Sequence, residues 1–71
     1  MKFKTSEYYA HWPFEGTNYV AKMNSRDLNI ILELTMMEWL KERKISYSWS
    51  IDNCITFKRD KDRLMFILRF Q

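Results

Sequence analysis

From Ser25 to Lys44 the chain reads SRDLNIILELTMMEWLKERK, the one stretch long and apolar enough to predict a major helix. Asn24 or Ser25 can cap its start, because a short polar side chain accepts a hydrogen bond from an otherwise unpaired backbone N–H. Asp27 suits the positive end of the helix dipole, and Lys41, Arg43 and Lys44 suit the negative end. Neither Gly nor Pro marks the stop, which is inferred from the switch to strict alternation at Ile45. At about 100° per residue, Leu28, Leu32, Met36, Trp39 and Leu40 share one broad face. Ile30, Ile31, Leu34 and Met37 form a second apolar arc, interrupted by Glu38 and Lys41. A helix lying on one sheet needs about one 100°-wide stripe. The second arc therefore predicts either a fold that wraps the helix on more than one side or a surface covered by another molecule.

The flanking segments carry strand patterns. Lys2-Phe3-Lys4-Thr5 alternates, Glu15-Gly16-Thr17-Asn18 reads as a turn, and Tyr19 to Met23 is a short strand, which together predict an N-terminal hairpin. Beyond the helix, Ile45, Tyr47, Trp49 and Ile51 alternate with Ser46, Ser48 and Ser50, a strand with one apolar and one small polar face. Asp52-Asn53 is a two-residue turn candidate, and Cys54 to Lys58 returns with Ile55 and Phe57 on one face. Arg59-Asp60-Lys61-Asp62 is a charged connection. In Arg63 to Phe70 the period-two set Leu64, Phe66, Leu68 and Phe70 predicts a closing strand, with Met65 and Ile67 on its other face. The predicted class is α+β, in the order ββαβββ: an antiparallel sheet made of the N-terminal hairpin and a C-terminal three-stranded meander, with one long helix packed across it. Trp39 and Leu32 are expected against the sheet face that carries Leu64, Phe66 and Leu68.

Size constrains this picture. Seventy-one residues make one domain, 1–71, and a chain this short buries only about 60% of its unfolded surface. One cysteine, Cys54, allows no intrachain disulfide, and one histidine, His11, allows no zinc-type cluster. Oligomerisation or a partner is the remaining source of extra stability. Aromatic content of 17% favours a packed domain over disorder. The charged residues of the helix argue against a membrane span, and the N-terminus lacks the apolar segment of a signal peptide. A cytoplasmic chain with reduced Cys54 is the simplest reading.

Candidate chemistry is sparse. A single glycine rules out both Gly-rich phosphate loops. Cys54 and His11 are the one conceivable nucleophile and base, and Cys54 beside a turn reads more simply as a small packed residue. No metal, cofactor or small-molecule substrate is expected, and the chain is not expected to be an enzyme. The formal charge of +3 is a mild excess. Its densest part, Lys58, Arg59, Lys61 and Arg63, can neutralise nucleic-acid phosphates or form a solvated loop. The aromatic run holding Tyr8, Tyr9 and Trp12 either covers a sheet edge or provides interface anchors.

Trp49-Ser50-Ile51, Ile55-Thr56-Phe57-Lys58 and the ending Asp62-Arg63-Leu64-Met65-Phe66-Ile67-Leu68-Arg69-Phe70 resemble a loose class of short tailed-bacteriophage accessory proteins. These tend to end with an aromatic strand, a charged connection and a closing apolar strand with a basic residue near its end. The resemblance covers the last third of the chain and brings no site residues with it. It implies a host-directed role, in which a host protein, including a component of a defence system, is bound and blocked in the host cytoplasm.

Two functions are therefore expected in order. The first is a small protein-binding module, an inhibitor that acts by occlusion, docking on a host protein or on a second copy of itself. Its contacts would come from Ile30, Leu34, Met37 and Lys41, with Tyr8, Tyr9 and Trp12. The second is a nucleic-acid-binding regulator using Lys58, Arg59, Lys61 and Arg63.

Overall fold

Asn29, rather than Asn24, opens the main helix. Its side-chain oxygen accepts the Leu32 backbone N–H at 2.9 Å, and helix α1 runs Ile30–Glu42. Asn24 caps only a single 3₁₀ turn, Ser25–Asp27, by accepting from the Arg26 N–H. The helix expected from Ser25 is thus two elements, each with its own Asn cap. Its stop is equally specific. Lys44 takes a left-handed conformation (φ 53°), the Lys44 N–H bonds to Lys41 O at 3.1 Å, and the Ile45 N–H bonds to Leu40 O at 3.1 Å. This is a Schellman ending with lysine where glycine is usual, sealed by contact of Ile45 and Leu40 in the core.

The computed structural model describes residues 1–50 and 52–71. Four strands, β1 (Phe3–Ala10), β2 (Gly16–Met23), β3 (Tyr47–Ser50) and β4 (Cys54–Phe57), form one antiparallel sheet in the order β1-β2-β4-β3. The N-terminal hairpin is as expected, but longer. Its loop is His11–Glu15, and Gly16, Thr17 and Asn18, expected in the turn, are already paired in β2. Gly16 has φ +102°, a backbone shape that side chains rarely tolerate. The Tyr47/Trp49 against Ser48/Ser50 alternation holds, with both aromatics packed toward the core. Ile51, expected to continue that set, lies outside the described residues.

The closing strand is not a strand. Asp60–Phe70 is a helix, α2, so the order is ββαββα and the expected meander keeps only β3 and β4. Two periods fit this stretch. Leu64, Phe66, Leu68 and Phe70 match period two, whereas Arg63, Phe66, Ile67 and Phe70 match helical spacing. The second set is the one turned inward: Arg63, Phe66 and Phe70 are buried and Ile67 packs on the core, while Leu64 and Leu68 are exposed. The charged connection is the first turn of the helix, where Asp60 and Asp62 favour its positive end.

Both helices cover one face of the sheet. Residues directly opposite share a face, which puts Phe3, Tyr19, Ala21, Met23, Ile55, Phe57, Tyr47 and Trp49 on the covered side. Met36 and Leu40 of α1 and Phe66 and Phe70 of α2 complete the core with Ala21, Met23, Ile45, Ile55 and Phe57. Phe66, fully buried, meets Phe57, Phe70, Phe3 and Trp39 with ring centroids 5.4, 5.0, 5.6 and 6.1 Å away. Trp39 and Leu32 do face the core, but they are half-buried, and Trp39 meets Phe66 and Phe70 of a neighbouring helix instead of a sheet surface with Leu64 and Leu68.

The helical period of α2 predicts opposite outcomes for adjacent apolar residues. Phe66→Ala should cost about 3–5 kcal/mol, while Leu68→Ala should change stability by less than about 0.5 kcal/mol; urea unfolding of both variants checks this, and equal losses would restore the strand. Lys44→Gly should stabilise the protein by about 0.5–1 kcal/mol, because it relieves the left-handed conformation at the helix end; its melting temperature is the readout.

Candidate functional site

The second arc of α1 stays uncovered. Ile30 is 72% exposed and Leu34 57%, with Met37 half-buried beside them. Spacings of four and three stack these side chains along one side of the helix. Trp49, from the sheet-edge strand β3, reaches the same place, so Ile30, Glu33, Leu34, Met37 and Trp49 line a shallow groove of about 250 Å³. Lys41 is exposed one turn beyond Met37 and extends the stripe as a charged end. Glu33 and exposed Glu38 lie on either side of the apolar line. Leu64, Met65 and Leu68 of α2 are also exposed.

The N-terminal aromatics belong elsewhere. Tyr8 and Tyr9 are exposed neighbours in β1 and point to opposite faces of that strand. Trp12, 78% exposed, stands in the hairpin loop. Strands β1 and β3 are the two edges of the sheet, so the structure does not join Tyr8, Tyr9 and Trp12 to the α1–Trp49 groove. What positions the loop is Asn18, which sequence patterning passed over as a turn residue. It is fully buried; its Oδ1 accepts the Phe14 N–H at 3.1 Å, and its Nδ2 donates to Phe14 O at 2.9 Å and Gly16 O at 3.2 Å. At the loop surface His11 Nδ1 and Glu15 Oε1 are 2.9 Å apart.

The basic set divides. Lys58, Arg59 and Lys61 are exposed, and Arg59 lies 3.5 Å from Asp62. Arg63 turns inward and is 9% exposed. One nitrogen, Nη2, donates to Glu7 Oε1 at 2.8 Å and to Asp60 Oδ1 at 2.7 Å; Nη1 donates to Ser6 O at 3.0 Å and Val20 O at 3.5 Å. The guanidinium also lies 5.3 Å from the Tyr19 ring centre. Arg63 therefore ties α2 to β1 and β2, and the phosphate-facing group expected from the sequence is reduced to Lys58, Arg59 and Lys61. Arg63 shares the inner face with Phe66 and Phe70 only when 60–70 is a helix; at period two it falls with Met65 and Ile67.

Other chemistry finds no geometry. Cys54 opposes Lys22 at one end of the sheet, while His11 follows Ala10 at the other, so the two are not a nucleophile–base pair. Among the described residues, no three His, Cys, Asp or Glu side chains gather as a metal site, and no helix is long and apolar enough to cross a membrane. Comparison with protein-family models, curated proteins and solved structures finds no match.

Because Glu7 and Asp60 are both about half exposed, water can take over their solvation if Arg63 is removed. Arg63→Ala should then cost about 2 kcal/mol, and Arg63→Lys should recover only part of it, since an ammonium cannot serve carboxylates and carbonyls with one rigid fork. Urea denaturation of the two variants tests the order.

Proposed function

We propose that this chain is a small protein-binding module that docks through the outer face of α1 and acts by occlusion, without a chemical step. The observation that carries this reading is the stacked Ile30, Leu34 and Met37 line, left open to solvent beside Trp49. Burying such side chains is worth about 25 cal/mol per Å² of apolar surface, and monomers seldom leave a contiguous patch of this kind unused. A groove that takes one or two inserted side chains, with a tryptophan wall, has the make-up of an interface hot spot. Glu33 and Glu38 beside it favour a partner whose own apolar surface has a cationic rim. The likeness of the last third of the sequence to short phage accessory proteins points to a host protein as that partner and to the host cytoplasm as the place. The resembling residues 62–70 lie in helix α2 in place of a closing strand, so the likeness is one of sequence alone.

Leu34→Glu is the test. The side chain points away from the core, so the variant should keep the wild-type circular dichroism and melting temperature. It should lose binding to any partner captured by the wild-type protein, by at least about a hundredfold, as expected for a charge placed in an apolar hot spot. Leu68→Glu, an equally exposed change on α2, should retain binding. Sedimentation equilibrium decides whether the occupant is a second copy: a dimer reduced to a monomer by Leu34→Glu identifies self-association. Retained partner binding by a folded Leu34→Glu protein would sink the proposal.

A further inference from the structure

A large open cavity lies at the end of the sheet away from the hairpin loop, where β2 leaves for the 3₁₀ turn beside Asp52 and Asn53. It measures about 550 Å³ and is lined by Lys2, Lys4, Lys22, Asn24, Ser25 and Asn53, with Asp52 as its one carboxylate. Its walls are tied together by the Met23 N–H, which bonds to Asn53 O at 2.9 Å.

The lysines of this cavity do not serve the fold. Lys4 and Lys22 are directly opposite each other in the β1–β2 ladder, and like charges so placed destabilise a hairpin. None of the three lysines forms an ion pair among the described residues. Asn24 spends its side-chain oxygen on the Arg26 N–H at 3.0 Å, which leaves its amide Nδ2–H groups as donors. The cavity thus presents three ammonium groups against one carboxylate, Asp52, with amide and hydroxyl donors, a cationic set suited to a ligand that carries more than one negative charge. A volume of this size is typical of a small-molecule site.

We infer that this cavity binds phosphate groups, supplied either by a nucleotide-like polyphosphate or by the backbone of a nucleic-acid strand. Ammonium groups neutralise phosphates as point charges and need no bidentate geometry. The site is separate from the Lys58–Arg59–Lys61 segment. Lys58 lies four residues along the chain from Cys54, the residue that opposes Lys22, which is about 13 Å at strand spacing. It is separate too from the α1 groove, so it can fail without affecting the protein-binding reading.

Titration of the folded protein at low salt with sodium tripolyphosphate, and separately with a short labelled oligothymidylate, tests the site. Binding should shift the backbone amide resonances of Lys4, Lys22, Asn24 and Asn53 and weaken steeply as salt rises. Lys22→Ala and Lys4→Thr, each checked for folding by circular dichroism, should both weaken it about tenfold, whereas Lys58→Ala should change it less than about threefold. Saturable tripolyphosphate binding supports a small polyphosphate ligand; oligothymidylate binding that tripolyphosphate does not displace supports a strand. Binding of neither probe overturns the inference, as does a loss with Lys58→Ala equal to that with Lys22→Ala.

Discussion

Phe66 is the contact on which the rest of this structure depends. It brings α2 onto the sheet and meets aromatic rings from β1, β4, α1 and its own helix. Edge-to-face and tilted aromatic pairs add to the area they bury, so one ring gives a small core the cross-linking that a larger domain spreads over many aliphatic contacts. Trp39 joins this group through packing: its indole N–H has no acceptor among the described residues, and Arg43 stacks on its ring at 4.3 Å.

Two polar residues then set what the aromatic core leaves open. Arg63 fastens the start of α2 across β1 and β2, and Asn18 holds the hairpin loop to the end of β2. Both are buried, with Asn18's amide and Arg63's two terminal nitrogens hydrogen-bonded, the condition under which such groups are tolerated inside a protein. With α2 fixed against one side of α1 and the sheet beneath it, Ile30 and Leu34 are left exposed among the described residues. The exposed arc is thus a consequence of where α2 packs, and the same placement withdraws Arg63 from the basic segment.

The surface that results is segregated. The helical layer shows apolar side chains on its outer side, with the α1–Trp49 groove as its most concave part. The lysine-lined cavity lies where β2, the 3₁₀ turn and the β3–β4 connection meet. An apolar partner and an anionic one would not compete for the same atoms, which makes the two binding readings independent of each other.

The sequence by itself determined the α+β class, the N-terminal hairpin, the β3–β4 pair and the presence of the central helix, because each rests on a local period or a local turn. It also identified Ile30, Leu34 and Met37 as a line of side chains distinct from the core face, since helical geometry alone stacks them. It did not determine α2. Eight residues that satisfy both periods carry no local signal that chooses between them; the choice was made by Phe3, Phe57 and Trp39, and by backbone oxygens of Ser6 and Val20 far away in the chain. The start of the helix likewise escaped, because Asn24 and Asn29 are equally competent caps and only the second opens α1. The lysine cavity was illegible for a related reason: Lys4 and Lys22 become neighbours only through hairpin register, and Asn53 and Asn24 only where two loops meet. Tertiary structure decided these features because each depends on partners that no short window of sequence contains.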